Sequence, residues 1–143
     1  MKKKLNPQEE EKIVAAIGKA EQMTSGEIRV HVESSCKGDP LDRGADLFFE
    51  LKMNETRDRN GVLIYVALKD RKLAILGDSG INKVVPDGFW NQTSELMVNH
   101  FKREEYARGI EQAVLMAGEH LQKYFPLKDD DTNELSNEIS KGD

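Results

Sequence analysis

The sequence predicts an α/β protein in which helices pack on both faces of a small mixed sheet, and three observations predict it. The first is the apolar run Val62-Leu63-Ile64-Tyr65-Val66-Ala67-Leu68, bounded by Asn60-Gly61 and Lys69-Asp70. It is too short for a typical helix and suits a strand covered on both faces. The second is Leu73-Ala74-Ile75-Leu76-Gly77, which follows so closely that a two-residue hairpin must return the chain antiparallel. The third is the alternation from Glu27 to Glu33, with Ile28, Val30 and Val32 on one face and Glu27, Arg29, His31 and Glu33 on the other. That pattern describes a half-solvated strand at or near an edge.

The helices follow from spacing and caps. Asn6-Pro7 with Glu9 combines a capping residue, a proline whose missing N–H costs nothing there, and a capping-box acid. Ile13, Ile17 and Ala20 recur at helical spacing until Thr24-Ser25-Gly26 ends the element. Ser34 to Pro40 is a loop, and Asp42 to about Met53 is helical, with Ala45, Phe48, Phe49 and Lys52 on one side. Asp87 is placed to cap a helix carrying Phe89, Trp90, Thr93, Leu96, Met97 and Phe101. A last helix runs from about Glu104 to Tyr124, with Tyr106, Ile110, Ala113, Val114, Ala117 and Leu121 on its buried stripe and Phe125-Pro126 as its stop. The resulting order, α-β-α-β-β-α-α, puts helices on both faces of the sheet. A right-handed crossover from Glu27 to Val66 makes those two strands parallel, and the hairpin strand is antiparallel to them.

Composition narrows the classes of function. With 143 residues, 38% hydrophobic and 33% charged, the chain holds one ordinary domain with a real core. No stretch approaches the ~18–20 apolar residues of a spanning helix. Met1-Lys2-Lys3-Lys4 is followed by no apolar segment, and the single Cys36 forms no internal disulfide. A reducing, cytoplasmic location is the expectation. Residues 1–126 read as the single domain and residues 127–143 as an acidic, disordered tail. The tail sets Asp129, Asp130, Asp131, Glu134, Glu138 and Asp143 against Lys128 and Lys141, and so carries −4 of the net charge of −5. The near-neutral body has no basic stripe, which argues against nucleic acid as a partner.

Two polar edges are candidate sites. One gathers Ser25, Glu27, Asp58, Asn60, Asp78 and Ser79; the other gathers Ser34, Ser35, Cys36, Asp39, Asp42 and Asp70. The second lies at the carboxyl ends of the parallel strands, where open α/β sheets usually bind ligands. The first is preferred here, because its residues leave buried, well-fixed strands.

At these residues the chain resembles the TPM domain family, named after a thylakoid lumen protein, a photosystem II repair protein and a worm receptor modulator. The resemblance rests on Thr24-Ser25-Gly26-Glu27-Ile28-Arg29-Val30, on Arg59-Asn60-Gly61-Val62-Leu63-Ile64-Tyr65-Val66, on the glycine-containing loop ending at Pro86-Asp87, and on Tyr106-Ala107-Arg108-Gly109-Ile110. It spans roughly residues 8 to 126. It implies a three-layer α/β/α sandwich, divalent-cation binding by loop acids in some members and an acid phosphatase activity in plant members. The family's Gly-x-Gly-Leu-Glu loop falls on Asp78-Ser79-Gly80-Ile81-Asn82, so its first glycine is Asp78 and its acid is Asn82 in this chain. The carboxylate has moved within the loop.

A Ca²⁺ or Mg²⁺ ion needs several hard oxygens at about 2.0–2.6 Å. Asp78, Asp87, Asn60, Asn82 and Ser79 are the candidate donors, with Asp39 and Asp42 on the alternative edge. The bland alternative makes Asp78 and Asp87 ordinary loop and cap residues. Phosphatase chemistry has no nucleophile signature: Cys36 and Arg43 are one residue too far apart for a Cys-x5-Arg cradle, and no Asp-x-Asp pair follows a strand. A phosphatase here would use metal-activated water. His31 with Glu27 and Glu33 reads as a solvated face, with Arg29 between them repelling a cation. Cys36 beside Lys37 reads as exposed and mildly reactive. The expectation is a monomeric module that binds Ca²⁺ or Mg²⁺ and a protein partner; the alternative is a weak metal-dependent phosphatase acting on phosphomonoesters.

Overall fold

The computed structural model describes residues 4–127 and 135–142 of the chain. Helix α1 (Pro7–Glu21) starts as its sequence demands. The Asn6 carboxamide oxygen accepts the Glu9 N–H at 2.8 Å, and the Glu9 carboxylate accepts the Asn6 N–H at 2.9 Å. Strand β1 (Glu27–Glu33) follows, then α2 (Pro40–Glu50), a single 3-10 turn over Met53–Glu55, β2 (Gly61–Ala67) and β3 (Lys72–Gly77). The helices α3 (Ser79–Asn82), α4 (Asn91–Lys102) and α5 (Tyr106–Gln122) complete the body, and β4 (Ser140–Lys141) lies near the end of the chain.

The sheet order is β3-β2-β1-β4. β1 and β2 are parallel, with Glu27 opposite Gly61 and Glu33 opposite Ala67, and β3 returns antiparallel with Val62 opposite Gly77. One face carries Ile28, Val30, Val32, Val62, Ile64 and Val66 under α1, α4 and α5. The other carries Leu63, Tyr65 and Ala67 under Leu47 and Phe48 of α2 and Met53. This is a three-layer α/β/α sandwich with a small mixed sheet, and β2 is buried along its whole length between the two helical layers. Among the described residues, no helix is long and apolar enough to cross a membrane.

Several local details depart from the sequence-based expectations. The hairpin is not a two-residue one: residues 68–71 connect the strands, with the Arg71 N–H donating to Leu68 O at 3.3 Å and Arg71 held at φ 55°. Leu68 is unavailable for a tighter turn because its N–H continues the ladder onto Glu33 O at 2.9 Å. Helix α2 begins earlier than expected, at Pro40 behind an Asp39 cap. It buries Gly44, Leu47 and Phe48 and leaves Ala45 and Phe49 exposed, because Gly44 is the residue that lets the helix approach Leu76 of β3. Asp87 caps nothing: Gly88 at φ 76° turns the chain, and α4 starts at Asn91. Gly109 and Gly118 pack against neighbouring helices rather than the sheet, Gly109 on His100 and Phe101, Gly118 on Ala20.

Strand β1 differs most. It is an interior strand, with β2 on one side and β4 on the other, and Glu27, His31 and Glu33 are all buried. β4 comes from the tail that the sequence predicts to be solvated. Over residues 135–142 that expectation does not hold: Leu135 packs on the α2 side of the sheet, Ile139 packs on the α1 side, and Ser140–Lys141 pair with His31–Val32. The unpaired outer edge of β1 gives even a weakly apolar segment backbone partners. Lys128, Asp129, Asp130, Asp131, Glu134 and Asp143, which carry most of the tail's charge, lie outside the described residues.

Candidate functional site

The sheet's two ends carry different chemistry. At the amino ends of β1 and β2, Asp78 is only 6% exposed. Its carboxylate receives both Arg59 donors, Nε and Nη2, at 2.8 Å each, and also accepts the Ser79 N–H at 2.7 Å as the cap of α3. The Asn60 amide donates to Ser25 O at 3.1 Å, and its backbone oxygen accepts the Glu27 N–H. The Asn82 amide donates to Gly77 O at 3.0 Å. Asp78, Ser79, Asn60 and Asn82 therefore gather at one end as expected, but the Asp78 carboxylate and the Asn60 and Asn82 amide N–H groups are engaged in closing the loop. Asp87 stands apart from them, exposed in an open groove with Phe89, Gln92, His120, Lys123 and Tyr124.

At the carboxyl ends lies a buried network that sequence pattern did not reveal. Glu33 is 7% exposed and receives a bidentate pair from Arg43, Nε to Oε2 and Nη2 to Oε1, both at 3.0 Å. The Tyr65 hydroxyl donates to Glu33 Oε2, and His31 Nε2 lies 3.0 Å from Oε1. A carboxylate only accepts, so Nε2 carries the imidazole proton and His31 Nδ1 accepts from the Ser140 hydroxyl at 3.0 Å. The His31 and Tyr65 rings stack with centroids 5.9 Å apart. Burial alone would push the Glu33 carboxyl up; the hydrogen bonds from Arg43, Tyr65 and His31 outweigh it and hold the carboxyl down at about 2. Burial pushes His31 below its ordinary value against the pull of Glu33, and burial followed by the Glu33 hydrogen bond pushes the Tyr65 phenol up.

Beside this network opens a cleft of about 850 Å³ lined by Glu33, Ser34, Ser35, Cys36, Lys37, Gly38, Asp39, Asp42, Arg43, Asp46 and Gly142. The Asp39 carboxylate accepts the Leu41 N–H at 2.8 Å as the α2 cap, and Asp42 sits in the first turn, where the helix dipole favours an acid. Asp70 Oδ2 accepts the Cys36 N–H at 2.8 Å, and the Lys72 ammonium lies 2.8 Å from Cys36 O and 2.9 Å from Gly38 O. Cys36 is buried, with its thiol 3.4 Å from Gly38 O, which corrects the expectation of an exposed, reactive side chain. Among the described residues, no three His, Cys, Asp or Glu side chains form a group that could hold a metal ion. The oxygens at both edges are hard donors suited to Ca²⁺ or Mg²⁺ rather than to softer metals.

Sequence reasoning missed Glu33, Arg43 and Tyr65 as a cluster. The one available signal was a run of charged residues on a strand beside an otherwise wholly apolar one. The fold and these two ends define a small α/β/α module with polar clefts and a buried, hydrogen-bonded cluster around Glu33. The TPM domain family model matches residues 2–120, and the chain belongs to that family. It is similar over 99% of its length, and 98% of the other chain, to the BA42 protein from the psychrophilic bacterium Bizionia argentinensis, at 48% identity and a TM-score of 0.92. Two more distant structures share the fold. The N-terminal domain of a P. gingivalis protein is 21% identical with a TM-score of 0.70, over 85% of this chain and 78% of that one. The N-terminal domain of cg2496 from Corynebacterium glutamicum is 16% identical with a TM-score of 0.62, over 98% and 81%. No curated protein matches the chain.

Proposed function

We propose that the protein is a non-catalytic binding module that takes Ca²⁺ or Mg²⁺ at the cleft beyond the carboxyl ends of β1 and β2 and presents α2 to a protein partner. The observation that supports it is the contrast between the two edges. Asp78 is engaged by Arg59 and by the α3 cap, whereas Asp42 and Asp46 are exposed along the cleft and make no ion pair among the described residues. Asp39, Asp42 and Asp46 recur along the cleft wall, and the neighbouring loop carbonyls of Cys36 and Gly38 already hold one cation, the Lys72 ammonium. On the solvent side of α2, Leu41, Ala45 and Phe49 form an exposed stripe at i, i+4 and i+8, with Leu41 54% and Phe49 64% accessible. Such a stripe beside a charged cleft suits a protein surface.

Titration of Ca²⁺ and Mg²⁺ into the metal-free protein, followed by backbone amide NMR, tests the proposal. Saturable shifts over residues 34–46 that vanish in the Asp42→Asn/Asp46→Asn double variant are expected. Shifts confined to Asn60, residues 77–82 and Asp87 would move the ion to the opposite edge, and no shift at millimolar ion would overturn cation binding. Turnover of a simple phosphomonoester that needs the ion and is lost in the double variant would assign the metal-dependent phosphatase instead.

A further inference from the structure

Residues Leu135–Gly142 cross the open side of β1 as a strap. Leu135 is packed on one layer and Ile139 on the other. Asn137 Nδ2 donates to Glu21 Oε2 at 3.0 Å, Lys141 Nζ pairs with Glu10 at 2.6 Å, and the Gly142 N–H donates to Val32 O at 2.9 Å. Only Ser140 and Lys141 are in register with the strand, opposite His31 and Val32. Beneath them lie the buried His31 and Glu33 side chains. Gly142 rests on this pair so closely that a Cβ there would overlap Glu33 Oε1 and sit 3.1 Å from His31 Nε2. Gly142 lines the acidic cleft and also a second cleft of about 420 Å³ formed with Lys4, Leu5, Glu10, Val32, Ile139 and Lys141. The strap is thus the wall between two clefts.

We propose that the open side of β1 is an acceptor site for an extended protein segment, and that the strap fills it in cis. The occupant seen in the structure states what the site selects. An incoming segment runs parallel to β1, with an apolar residue at the Ile139 position, a hydroxyl against His31 Nδ1 and a cation against Glu10. The fourth position, over Glu33, admits glycine alone. Strand addition draws affinity from main-chain hydrogen bonds and specificity from such alternating side-chain seats. Release of the strap joins the two clefts and uncovers Glu33 and His31, the polar pair that an exchanged segment would cover again. With two residues in register and Lys141 and Gly142 exposed, the strap opens without unfolding the body.

The test uses the full chain carrying Gly142→Val, whose added side chain drives into Glu33. It is titrated with a fluorescently labelled peptide of the sequence Leu135–Asp143 and followed by anisotropy. The variant should bind at least about tenfold more tightly than the wild-type protein, whose own strap lowers the fraction of open sites. The same peptide carrying Gly142→Val should not bind. Ile139→Ser, which removes the strap's apolar anchor, is a second release variant and should bind the peptide in the same way. In the wild-type protein, the Gly142 amide should exchange hydrogen at least about a hundredfold faster than the β2 amides. Equal binding of the two peptides, no peptide binding by either release variant, or Gly142 protection equal to that of β2 would each overturn the proposal.

Discussion

Replacing Glu33 by Gln keeps the side chain's shape and removes its charge. The carboxyl sits at about 2 in the folded protein against 4.5 in the unfolded chain, so the folded state binds its proton less readily. A depressed folded pKa contributes stability that is fully present above the unfolded value and is lost as pH falls through the folded one. The separation corresponds to about 3 kcal/mol at pH 7, vanishing progressively between about pH 5 and pH 2. For a domain of this size that is a loss of about 10 °C in Tm for Glu33→Gln at neutral pH. The loss has a direct structural cause: the substitution leaves the Arg43 guanidinium and the Tyr65 hydroxyl facing a neutral amide in a site that is 7% exposed. Urea denaturation of both proteins from pH 7 to pH 2 measures it. The two stability curves should converge as pH falls, because a protonated Glu33 and the glutamine amide of the variant are both neutral. A difference that stays constant across that range, or one below about 0.5 kcal/mol at pH 7, would refute a charge-based role for Glu33. His31 adds an earlier limb of the same sign: its folded pKa is lowered by burial, so its contribution is present above about 6.5 and falls as pH drops below that value.

Two further substitutions separate structural roles from functional ones. Asp78→Ala removes the Arg59 pair and the α3 cap together and should cost about 2–3 kcal/mol by chemical denaturation, equally in Ca²⁺ and in chelator. A cost that grows when Ca²⁺ is present would make Asp78 an ion ligand after all. Gly118→Ala places a Cβ 2.9 Å from Ala20 Cβ and 3.1 Å from its Cα, atoms that cannot swing aside. Overpacking at the α1–α5 contact should destabilise by about 1–2 kcal/mol even after the gain of up to about 1 kcal/mol in helix propensity. An unchanged or raised denaturation midpoint would mean that the two helices separate freely.

The two ends of the sheet divide the molecule's labour. The Asp78–Arg59 pair and the Asn60 hydrogen bonds close the amino end of the sheet, as a loop leaving a buried strand requires. The carboxyl end combines the buried, hydrogen-bonded Glu33 cluster with an exposed acidic wall and a two-residue strand beside it. The proposed cation site draws on that contrast, with charge neutralised around Glu33 and exposed on Asp42 and Asp46.

The elements and their faces were legible in the residues alone. An all-apolar β2, an alternating β1 and helical stripes at i, i+3 and i+4 leave one layering, because each apolar face must be covered. The capping box at Asn6 and Glu9 is a local hydrogen-bond circuit, and local circuits can be read from four residues. The parallel pairing of β1 with β2 followed from chain handedness. Period-two alternation states that Glu27, Arg29, His31 and Glu33 share a face, but not whether water or protein covers it. That was settled by partners far away in sequence: Tyr65 32 residues on from Glu33 and Ser140 109 residues on from His31, joined by Arg43 from a helix whose buried face turned on one glycine, Gly44. Asp78 read either as an ion donor or as a loop and cap residue; it caps α3, and its pairing with Arg59 was hidden for the same reason, since Arg59 lies 19 residues before it and meets it only when the hairpin closes. Burial of charge is a property of assembled layers, so a row of polar letters becomes a paired interior only once those layers close over it.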